Sequence, residues 1–296
     1  MPHRLTLDDL DHLSTGKRTR LHRLMYQFGP GNGTLLMLPI DQGLEHGPRD
    51  FFANPDSANP EFQLKLAIEG RYSGIVFQYG IAEKYMRNFV GQVPLVVKLN
   101  GKTEMPSDAE VFSSCLASVE DAVALGADAV GYTLYVGSPA QDRDFAQWAE
   151  VRRDAERLGV PTIIWAYPRG EAVEAKGGKE SVWAIDYAAR VASEVGADIV
   201  KVNFPTHSPT PGSPKPYDTM AFSPEEGVAR VVASAGKTLV LISGGEMESD
   251  ADLLQKSRNS FAAGATGLIF GRNTWQRPFE DALKMMRELR EIALKA

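Results

Sequence analysis

The sequence is poor in several features that mark particular protein classes. Only one of its 296 residues is cysteine, Cys115, so no disulfide can form within the chain, which suits a reducing compartment. No apolar run reaches the ~18 residues of a membrane-spanning helix. The first ten residues, MPHRLTLDDL, lack the apolar core of a secretion signal. We therefore expect a cytoplasmic protein that does not associate with a membrane.

Positive charge and histidine are also scarce. Lys and Arg number 32 against 38 Asp and Glu, giving a formal charge of −6, and the basic residues form no cluster. This balance argues against a nucleic-acid partner. The chain has five histidines without the spacing of metal ligands: His3, His12, His22, His46 and His207. We therefore expect neither a metal nor another cofactor.

Short apolar runs recur along the chain, in which 43% of residues are hydrophobic and 24% charged. The eight runs cover residues 34–40, 73–78, 94–99, 127–132, 161–165, 197–202, 237–242 and 265–270. They are continuous rather than alternating, as in strands that are buried on both faces. Helical periodicity separates most of them, for example at 112–125, 145–158 and 183–195. Gly126, Gly196 and Gly264 each precede a strand and are expected to end helices in the left-handed conformation.

Eight alternations of strand and helix predict an α/β fold, a (β/α)8 TIM barrel; an open doubly wound sheet is the alternative. We predict a single domain over residues 1–296, with a barrel at 34–296. Residues 1–33 form an N-terminal helical extension that we expect to close the barrel floor. The proline-rich stretch 205–216 is expected to be a long loop after the sixth strand, and Gly177-Gly178-Lys179 lies in another loop.

Ionisable side chains gather at the carboxyl ends of these strands, where barrel enzymes carry their active sites. Lys201 lies inside an apolar strand, a position in which lysine is rarely used for packing. Desolvation and a nearby cation lower the pKa of an amine, so that it can attack a carbonyl. A buried salt bridge to Asp41 or Glu246 is the alternative role. Lys98 ends another strand and is either the nucleophile itself or the second cation that lowers the pKa of the other amine. In the second role we expect Lys98 to be one of the residues that bind the substrate.

Tyr167 and Asp41 are the candidate groups for proton transfer near such an amine. A phenol can exchange a proton with the substrate, and a carboxylate can hold hydroxyl groups and stabilise positive charge. His46 is a candidate for a hydrogen bond to the substrate. The alternatives are an ordinary aromatic residue for Tyr167, a turn or helix cap for Asp41 and a loop cap for His46.

Glycine-rich segments after the last two strands predict a phosphate site. The segments are Ser243-Gly244-Gly245 and Gly271-Arg272-Asn273, where small residues let backbone N–H groups approach phosphate oxygens and Arg272 adds a charged fork. An ordinary turn is the alternative for the Gly-Gly pair. Arg169 is a candidate for a second anionic group or for an ion pair within its own loop.

Six segments together resemble the archaeal-type class I fructose-bisphosphate aldolases over about the whole barrel. They are Asp41-Gln42-Gly43 with Glu45-His46-Gly47, Val97-Lys98-Leu99-Asn100, Trp165-Ala166-Tyr167-Pro168-Arg169-Gly170, Ala197-Asp198-Ile199-Val200-Lys201, Ser243-Gly244-Gly245 and Gly271-Arg272-Asn273. The resemblance implies metal-independent, reversible cleavage of fructose 1,6-bisphosphate to dihydroxyacetone phosphate and glyceraldehyde 3-phosphate. It places the Schiff base on Lys201 rather than Lys98.

The same resemblance implies further roles. Tyr167 would donate and accept protons with help from Asp41, and Trp165 and Arg169 would line the substrate channel. Ser243, Gly244, Gly245, Gly271 and Arg272 would hold the phosphate next to the ketone. Members form large homo-oligomers, often decamers in which two rings of five subunits are stacked. The stretch 209–216 matches no segment of the family.

Two related activities and one different class remain as alternatives. One relative is a transaldolase that makes 2-amino-3,7-dideoxy-heptulosonate in aromatic amino-acid synthesis, and another is a thiolase acting on phosphorylated autoinducer-2. Residues 38–46 look closer to the bisphosphate aldolases. A non-catalytic phosphosugar-binding barrel would keep the phosphate loops without needing Lys201, Tyr167 and Asp41 together.

Overall fold

The eight apolar runs form one closed barrel in the computed structural model, which describes residues 3–107, 110–206 and 208–296. His207 lies outside the described residues. All neighbouring barrel strands are parallel, and their order around the ring is β1-β8-β7-β6-β5-β4-β3-β2. The strands are β1 (Leu35–Ile40), β2 (Gly74–Gln78), β3 (Leu95–Lys98), β4 (Ala129–Val136), β5 (Thr162–Pro168), β6 (Ile199–Val202), β7 (Leu239–Ser243) and β8 (Gly267–Ile269). The predicted (β/α)8 barrel is confirmed, and the open sheet is wrong.

Helices surround the barrel and bury their apolar faces against it. The longer helices are α1 (Thr15–His22), α2 (Pro60–Glu69), α3 (Tyr79–Tyr85), α4 (Val119–Ala124), α5 (Gln141–Leu158), α6 (Val182–Glu194), α7 (Pro224–Ala235), α8 (Asp250–Ala262) and α9 (Phe279–Leu294). Single turns occur at Leu7–Leu10, Arg23–Gln27, Gln42–Glu45, Pro48–Phe51, Pro55–Ala58, Met86–Phe89, Glu171–Glu174 and Arg272–Trp275. None of these helices is long and apolar enough to cross a membrane.

Glycines end three of the helices as predicted. Gly126, Gly196 and Gly264 have φ angles of 78°, 88° and 89°. This region is open to glycine without the steric penalty that a Cβ brings, so each helix can turn directly into the following strand.

The N-terminal segment packs against the amino ends of the strands. Leu10, Leu21, Leu24 and Met25 are buried in one apolar cluster with side chains from all eight barrel strands. A buried ion pair joins this segment to the barrel, because Lys17 Nζ lies 3.0 Å from an Asp198 carboxylate oxygen just before β6. The active-site end of the barrel is therefore the opposite end.

The helix expected at residues 112–125 is shorter than predicted. Only Val119–Ala124 is α-helical, and Ser114–Cys115 instead pairs antiparallel with Asn100–Gly101 in a small hairpin. Asn100 fixes this hairpin to the barrel, since its side-chain amide donates to the carbonyls of Ser113 and Thr133. These contacts join segments far apart in sequence, which local periodicity does not report.

Candidate active site

A cavity of about 740 Å³ opens at the carboxyl ends of the barrel strands. Its wall contains ten of the predicted site residues: Asp41, His46, Tyr167, Arg169, Lys201, Ser243, Gly244, Gly245, Gly271 and Arg272. They come from loops or ends of β1, β5, β6, β7 and β8. The closed barrel brings them together because parallel strands all present their carboxyl ends on one rim.

Lys201 projects from β6 into the base of this cavity. It is 5% exposed, and its Nζ makes no hydrogen bond or ion pair with any residue in the described ranges. The ammonium lies 5.1 Å from the centre of the Trp165 ring and 5.5 Å from that of Tyr167. Burial lowers the pKa of Lys201, and Arg272 lowers it further, while Asp41 and Glu45 act in the opposite direction. The predicted alternative of a salt bridge to Asp41 or Glu246 is therefore wrong.

Lys98 has a different environment although it also ends a strand. Its Nζ donates to Glu45 Oε1 at 3.0 Å and lies 3.6 Å from Asp41 Oδ2. The side chain is fully buried and lies below the cavity wall rather than on it. Direct contact of Lys98 with a ligand, which the sequence led us to expect, therefore does not fit its position. Glu45 is the counterion that the sequence reasoning missed.

Trp165 lies between the two lysines. Lys98 Nζ is 5.2 Å and Lys201 Nζ 5.1 Å from the centre of its ring, and the side chain is fully buried. The ring therefore forms part of the layer beneath the cavity. Alternate residues of β5 point into the barrel at different depths along its axis, and Trp165 lies too deep to reach the cavity. The expectation that Trp165 lines the channel is therefore wrong.

The pKa values of Asp41 and Tyr167 are shifted in opposite directions. Burial raises the pKa of Asp41, but the positive charges of Lys98 and Lys201 outweigh it, and the net pKa is below its usual value. Burial, followed by the charges of Glu45 and Asp41, raises the pKa of Tyr167 well above its usual value. One wall of the site thus holds an ionised carboxylate and a protonated phenol together.

The loops after β7 and β8 form a cradle of backbone donors. The N–H groups of Gly244, Gly245 and Gly271 donate to no acceptor in the described part of the chain. Glycine is required at 271 by close approach, since a Cβ there would lie 2.9 Å from Gln42 Nε2 and 3.0 Å from Pro39 O. Arg272 donates to Gly245 O at 3.2 Å and so joins the two loops.

Two asparagines brace this cradle, and sequence reasoning assigned neither a role. Asn273 is fully buried and donates to the carbonyls of Gly244 and Glu246 at 3.3 and 2.8 Å. Asn203 accepts a hydrogen bond of 2.8 Å from Ser243 Oγ. The sequence features that could have identified them are their positions: Asn203 directly follows an apolar strand, and Asn273 directly follows the Gly271-Arg272 pair.

Arg169 and His46 lie on other parts of the wall. Arg169 stacks on Tyr167, with its guanidinium carbon 5.2 Å from the ring centre, and donates to the carbonyl of Pro168. It forms no ion pair with another described residue, so the predicted pair within its loop is wrong. His46 Nδ1 lies 2.7 Å from Asp50 Oδ2, which orients the ring at the edge of the cavity. Among the described residues, no group of three or more His, Cys, Asp or Glu side chains is placed to hold a metal.

Comparison with known proteins places this geometry among aldolases. The model of the DeoC/LacD family of aldolases matches residues 35–277. The class 1 fructose-bisphosphate aldolase of Thermoproteus tenax is 43% identical over 261 residues, covering 88% of this chain and 89% of the relative. The fructose-bisphosphate aldolase/6-deoxy-5-ketofructose 1-phosphate synthase of Methanocaldococcus jannaschii is 32% identical over 273 residues, covering 89% and 82%.

Solved structures give the same result. An archaeal fructose-1,6-bisphosphate aldolase, with its catalytic lysine bound to the carbinolamine intermediate of the substrate, superposes with a TM-score of 0.80 at 39% identity and covers 93% of this chain and 99% of that one. The fructose-bisphosphate aldolase of Slackia heliotrinireducens has a TM-score of 0.85 at 27% identity, covering 99% and 92%.

Proposed function

The chain belongs to the DeoC/LacD family of aldolases, and from this premise we propose that it cleaves fructose 1,6-bisphosphate reversibly through a Schiff base on Lys201. The products would be dihydroxyacetone phosphate and glyceraldehyde 3-phosphate. The observation that carries the proposal is the state of Lys201, a desolvated amine without a described partner at the base of a polar cavity. The relatives' names support the choice of sugar.

Schiff-base formation needs a neutral amine next to a ketone. Burial lowers the pKa of Lys201 and outweighs the opposing charges of Asp41 and Glu45, which favours its neutral form, whereas the Lys98 amine is occupied by contacts with Glu45 and Asp41. Attack of Lys201 Nζ on the C2 ketone and loss of water give an iminium, which withdraws electrons from the C3–C4 bond. These contrasting environments favour Lys201 over Lys98 as the nucleophile.

Cleavage then requires one proton acceptor and one proton donor. Asp41 is ionised at neutral pH because its pKa is lowered, so its carboxylate suits acceptance of the C4 hydroxyl proton as the C3–C4 bond breaks. The raised pKa of Tyr167 keeps the phenol protonated, which suits donation to C3 of the resulting enamine. Transfer of the proton from the Asp41 carboxyl to the Tyr167 phenolate restores both groups, and hydrolysis of the new iminium releases dihydroxyacetone phosphate and restores Lys201.

The glycine cradle would anchor the phosphate next to the ketone. Gly244, Gly245 and Gly271 offer backbone N–H groups, and Arg272 offers a guanidinium, on the two strands that follow β6 in the chain. Such anchoring uses binding energy to hold C2 against Lys201 Nζ.

Borohydride reduction tests the nucleophile. Enzyme incubated with dihydroxyacetone phosphate and reduced should carry one covalent adduct, and peptide mass spectrometry should locate it at Lys201. The Lys201→Met variant should carry none and should lose turnover while retaining stabilisation by ligand. An adduct on Lys98, no adduct with the unaltered enzyme, or unchanged turnover of Lys201→Met would contradict the proposal. Stabilisation by ligand without any turnover or adduct in the unaltered enzyme would favour a non-catalytic binding barrel.

Substrate choice is tested separately. A coupled assay should detect glyceraldehyde 3-phosphate released from fructose 1,6-bisphosphate at a rate far above that of Lys201→Met. The name of the Methanocaldococcus jannaschii relative includes a second activity, so formation of 6-deoxy-5-ketofructose 1-phosphate should be measured with the same preparation. Turnover confined to that second reaction would contradict our choice of sugar.

We also propose that the protein is a homo-oligomer, as the family resemblance implies, and that it is cytoplasmic, which its single cysteine suits. Support comes from large apolar side chains that one chain leaves to solvent, including Phe52 at 75% and Val90 at 67% exposure. Light scattering coupled to size exclusion should give a multiple of the 32.4 kDa chain mass, and a monomer would contradict this proposal.

A further inference from the structure

Two long loops meet at the mouth of the cavity, and one of them contains the stretch 209–216, which matches no segment of the family. The β5 loop comprises residues 169–181, and the described part of the β6 loop comprises residues 203–206 and 208–223. Both contribute to the cavity wall, through Lys179 and Glu180 from the first and Phe204 and Thr206 from the second. The β6 loop therefore belongs to the site although its sequence gave no functional signal.

The two loops dock through specific polar contacts. The Thr206 N–H donates to Glu180 O at 3.0 Å, and the Thr206 hydroxyl lies 3.3 Å from Glu180 Oε2. Further along, Ser213 Oγ donates to Lys176 O at 2.9 Å. Gly177 makes this docking possible, because a Cβ there would lie 2.4 Å from Ser213 Oγ and its φ is 104°. The β5 loop is thus held on both sides of Lys179.

The β6 loop is itself anchored away from the cavity. The Tyr217 hydroxyl donates to Asp186 Oδ2 on α6, and Arg230 Nε on α7 donates to the same oxygen at 2.9 Å. Asp186 is buried, with its side chain 4% exposed. Because α6 and α7 belong to the outer layer of the barrel, the anchor ties the position of the β6 loop to the rigid scaffold.

Lys179 is the cation that this arrangement places on the wall. Its ammonium makes no hydrogen bond or ion pair with any residue of the described chain, and the neighbouring Glu180 carboxylate is engaged by Thr206 instead. The β5 strand is three places from β8 around the ring, so Lys179 and Arg272 approach the cavity from well-separated parts of the rim. Arg169, on the same loop as Lys179, adds a second cation there.

We propose that the β6 loop is a specificity-determining element that holds Lys179 on the cavity wall, where its charge selects sugars with an anionic group at the end remote from the ketone. This inference rests on the proposed function and deepens it. The docked β6 loop fixes the backbone at Lys176 and Glu180, on both sides of Lys179, and a fixed backbone lowers the entropy that is lost when the ammonium binds an anion.

Comparison of two sugars tests the charge. Fructose 1,6-bisphosphate and fructose 1-phosphate share the ketone and its adjacent phosphate, and only the first has a phosphate at the other end. Lys179→Met should lower kcat/KM for the bisphosphate about tenfold, the size of a charge-assisted contact, and leave that for fructose 1-phosphate within about twofold. Lys179→Arg should restore most of the preference. Lys176→Met, which removes an exposed lysine of the same loop outside the cavity wall, is the matched control and should change neither value.

A glycine pair tests the docking. Gly177→Ala forces a Cβ against Ser213 and Thr210, whereas Gly178→Ala has a similar φ of 84° but meets only Glu174 Oε2 at 3.4 Å. Gly177→Ala should reduce the bisphosphate preference as Lys179→Met does, and Gly178→Ala should not. Tyr217→Phe removes the hydroxyl of the remote anchor and should act in the same direction as Gly177→Ala. It is a second test of docking that does not depend on correct folding of the glycine variant.

The outcomes separate the two levels of the proposal. Equal losses for both sugars in Lys179→Met, or an unchanged preference in Lys179→Met or in both docking variants, would overturn the role of the β6 loop while borohydride still labels Lys201. Absence of both labelling and cleavage in the unaltered enzyme would overturn the proposed function, and this inference with it.

Discussion

Lys201 and Lys98 have the same side chain at strand ends of one barrel, yet their surroundings differ sharply. Lys98 has two carboxylates within 4 Å, while Lys201 faces the cavity with an aromatic ring beneath it. Removing a charged amine from water destabilises the charged form unless a counterion compensates. The chemistry of the site therefore depends on which lysine receives the carboxylates.

The pH dependence of labelling should reflect this difference. Only the neutral amine attacks a ketone, so the rate of Schiff-base formation rises with pH through the pKa of Lys201 and then levels off. Because that pKa is lowered from the usual 10.5, the midpoint of the rise should lie below pH 10.5. The rate of borohydride-trapped adduct formation across pH gives the midpoint. A midpoint at or above pH 10.5 would contradict the lowered pKa of Lys201.

Gly131 on β4 makes room for the ring that separates the two lysines. A Cβ at this position would lie 2.6 Å from Cζ3 of Trp165 and 3.1 Å from Cδ of Lys98. We expect Gly131→Ala to displace Trp165 and with it Lys201, lowering kcat by about tenfold or more, because small misplacements of reacting groups strongly reduce rates. Overpacking should also lower the free energy of unfolding by about 1–3 kcal/mol.

Gly80 provides the control for this change. An alanine Cβ at Gly80 on α3 would meet nothing within 4 Å, so Gly80→Ala should leave kcat unaltered. Steady-state kinetics at a temperature where both variants are folded makes the comparison. Equal kcat values for the two alanine variants would mean that the position of Trp165 does not matter for turnover.

At the scale of elements, the N-terminal segment is held to the barrel by a buried charge as well as by apolar contacts. Lys17 Nζ contacts Asp198 and also Glu156, and Asp198 accepts hydrogen bonds from the N–H and hydroxyl of Thr162. Lys17 joins α1 to the carboxylate that precedes β6, and it is 2% exposed. Such a pair fixes one arrangement of the segment, because any other leaves a buried charge uncompensated.

Removal of that cation should be strongly destabilising. Lys17→Met leaves the Asp198 carboxylate buried without its partner, and we expect a loss of about 3 kcal/mol in the free energy of unfolding. Lys237→Met breaks the pair between Lys237 and Asp11, whose side chains are 62% and 77% exposed, and should change the same quantity far less, because solvent screens an exposed ion pair. Urea denaturation measures both. Similar losses in the two variants would show that the buried pair has no special role.

The eight barrel strands could be predicted because each is a continuous apolar run, and the runs chosen from sequence differ from the observed strands by a few residues at most in all but β4 and β5. The hairpin of Asn100–Gly101 with Ser114–Cys115 could not, since Asn100 is fixed by carbonyls at Ser113 and Thr133, distant in sequence. The sequence also does not show how deep in the barrel a strand residue places its side chain, which is why we expected Trp165 and Lys98 to contact the substrate on the cavity wall. The docking of the β6 loop depends on the absent Cβ of Gly177 and on Asp186, and neither forms a local pattern.

At the scale of the whole molecule, one apolar cluster links the N-terminal segment to all eight strands. Leu21, Leu24 and Met25 are fully buried there beside residues at the amino ends of the barrel strands. The second, larger cluster lies between the strands and the outer helices. Trp165 belongs to the first cluster, and its ring lies below Lys201. The N-terminal segment, the barrel strands and the base of the active site are therefore packed in one continuous apolar interior.

This shared interior supports our proposal that residues 1–296 are a single domain, and it predicts one cooperative unfolding transition. Fluorescence reports on the buried Trp148, Trp165 and Trp275, whereas far-ultraviolet circular dichroism reports on all helices. The two signals should change together in urea, and backbone amides of Leu24 and Met25 should exchange with solvent only through global unfolding. Exchange of these amides at a much lower free energy than those of β6 would show that the N-terminal segment is a separate unit. In that case the N-terminal segment would open first and expose the layer under Lys201. Turnover should then be lost at a lower urea concentration than the circular dichroism signal of the helices.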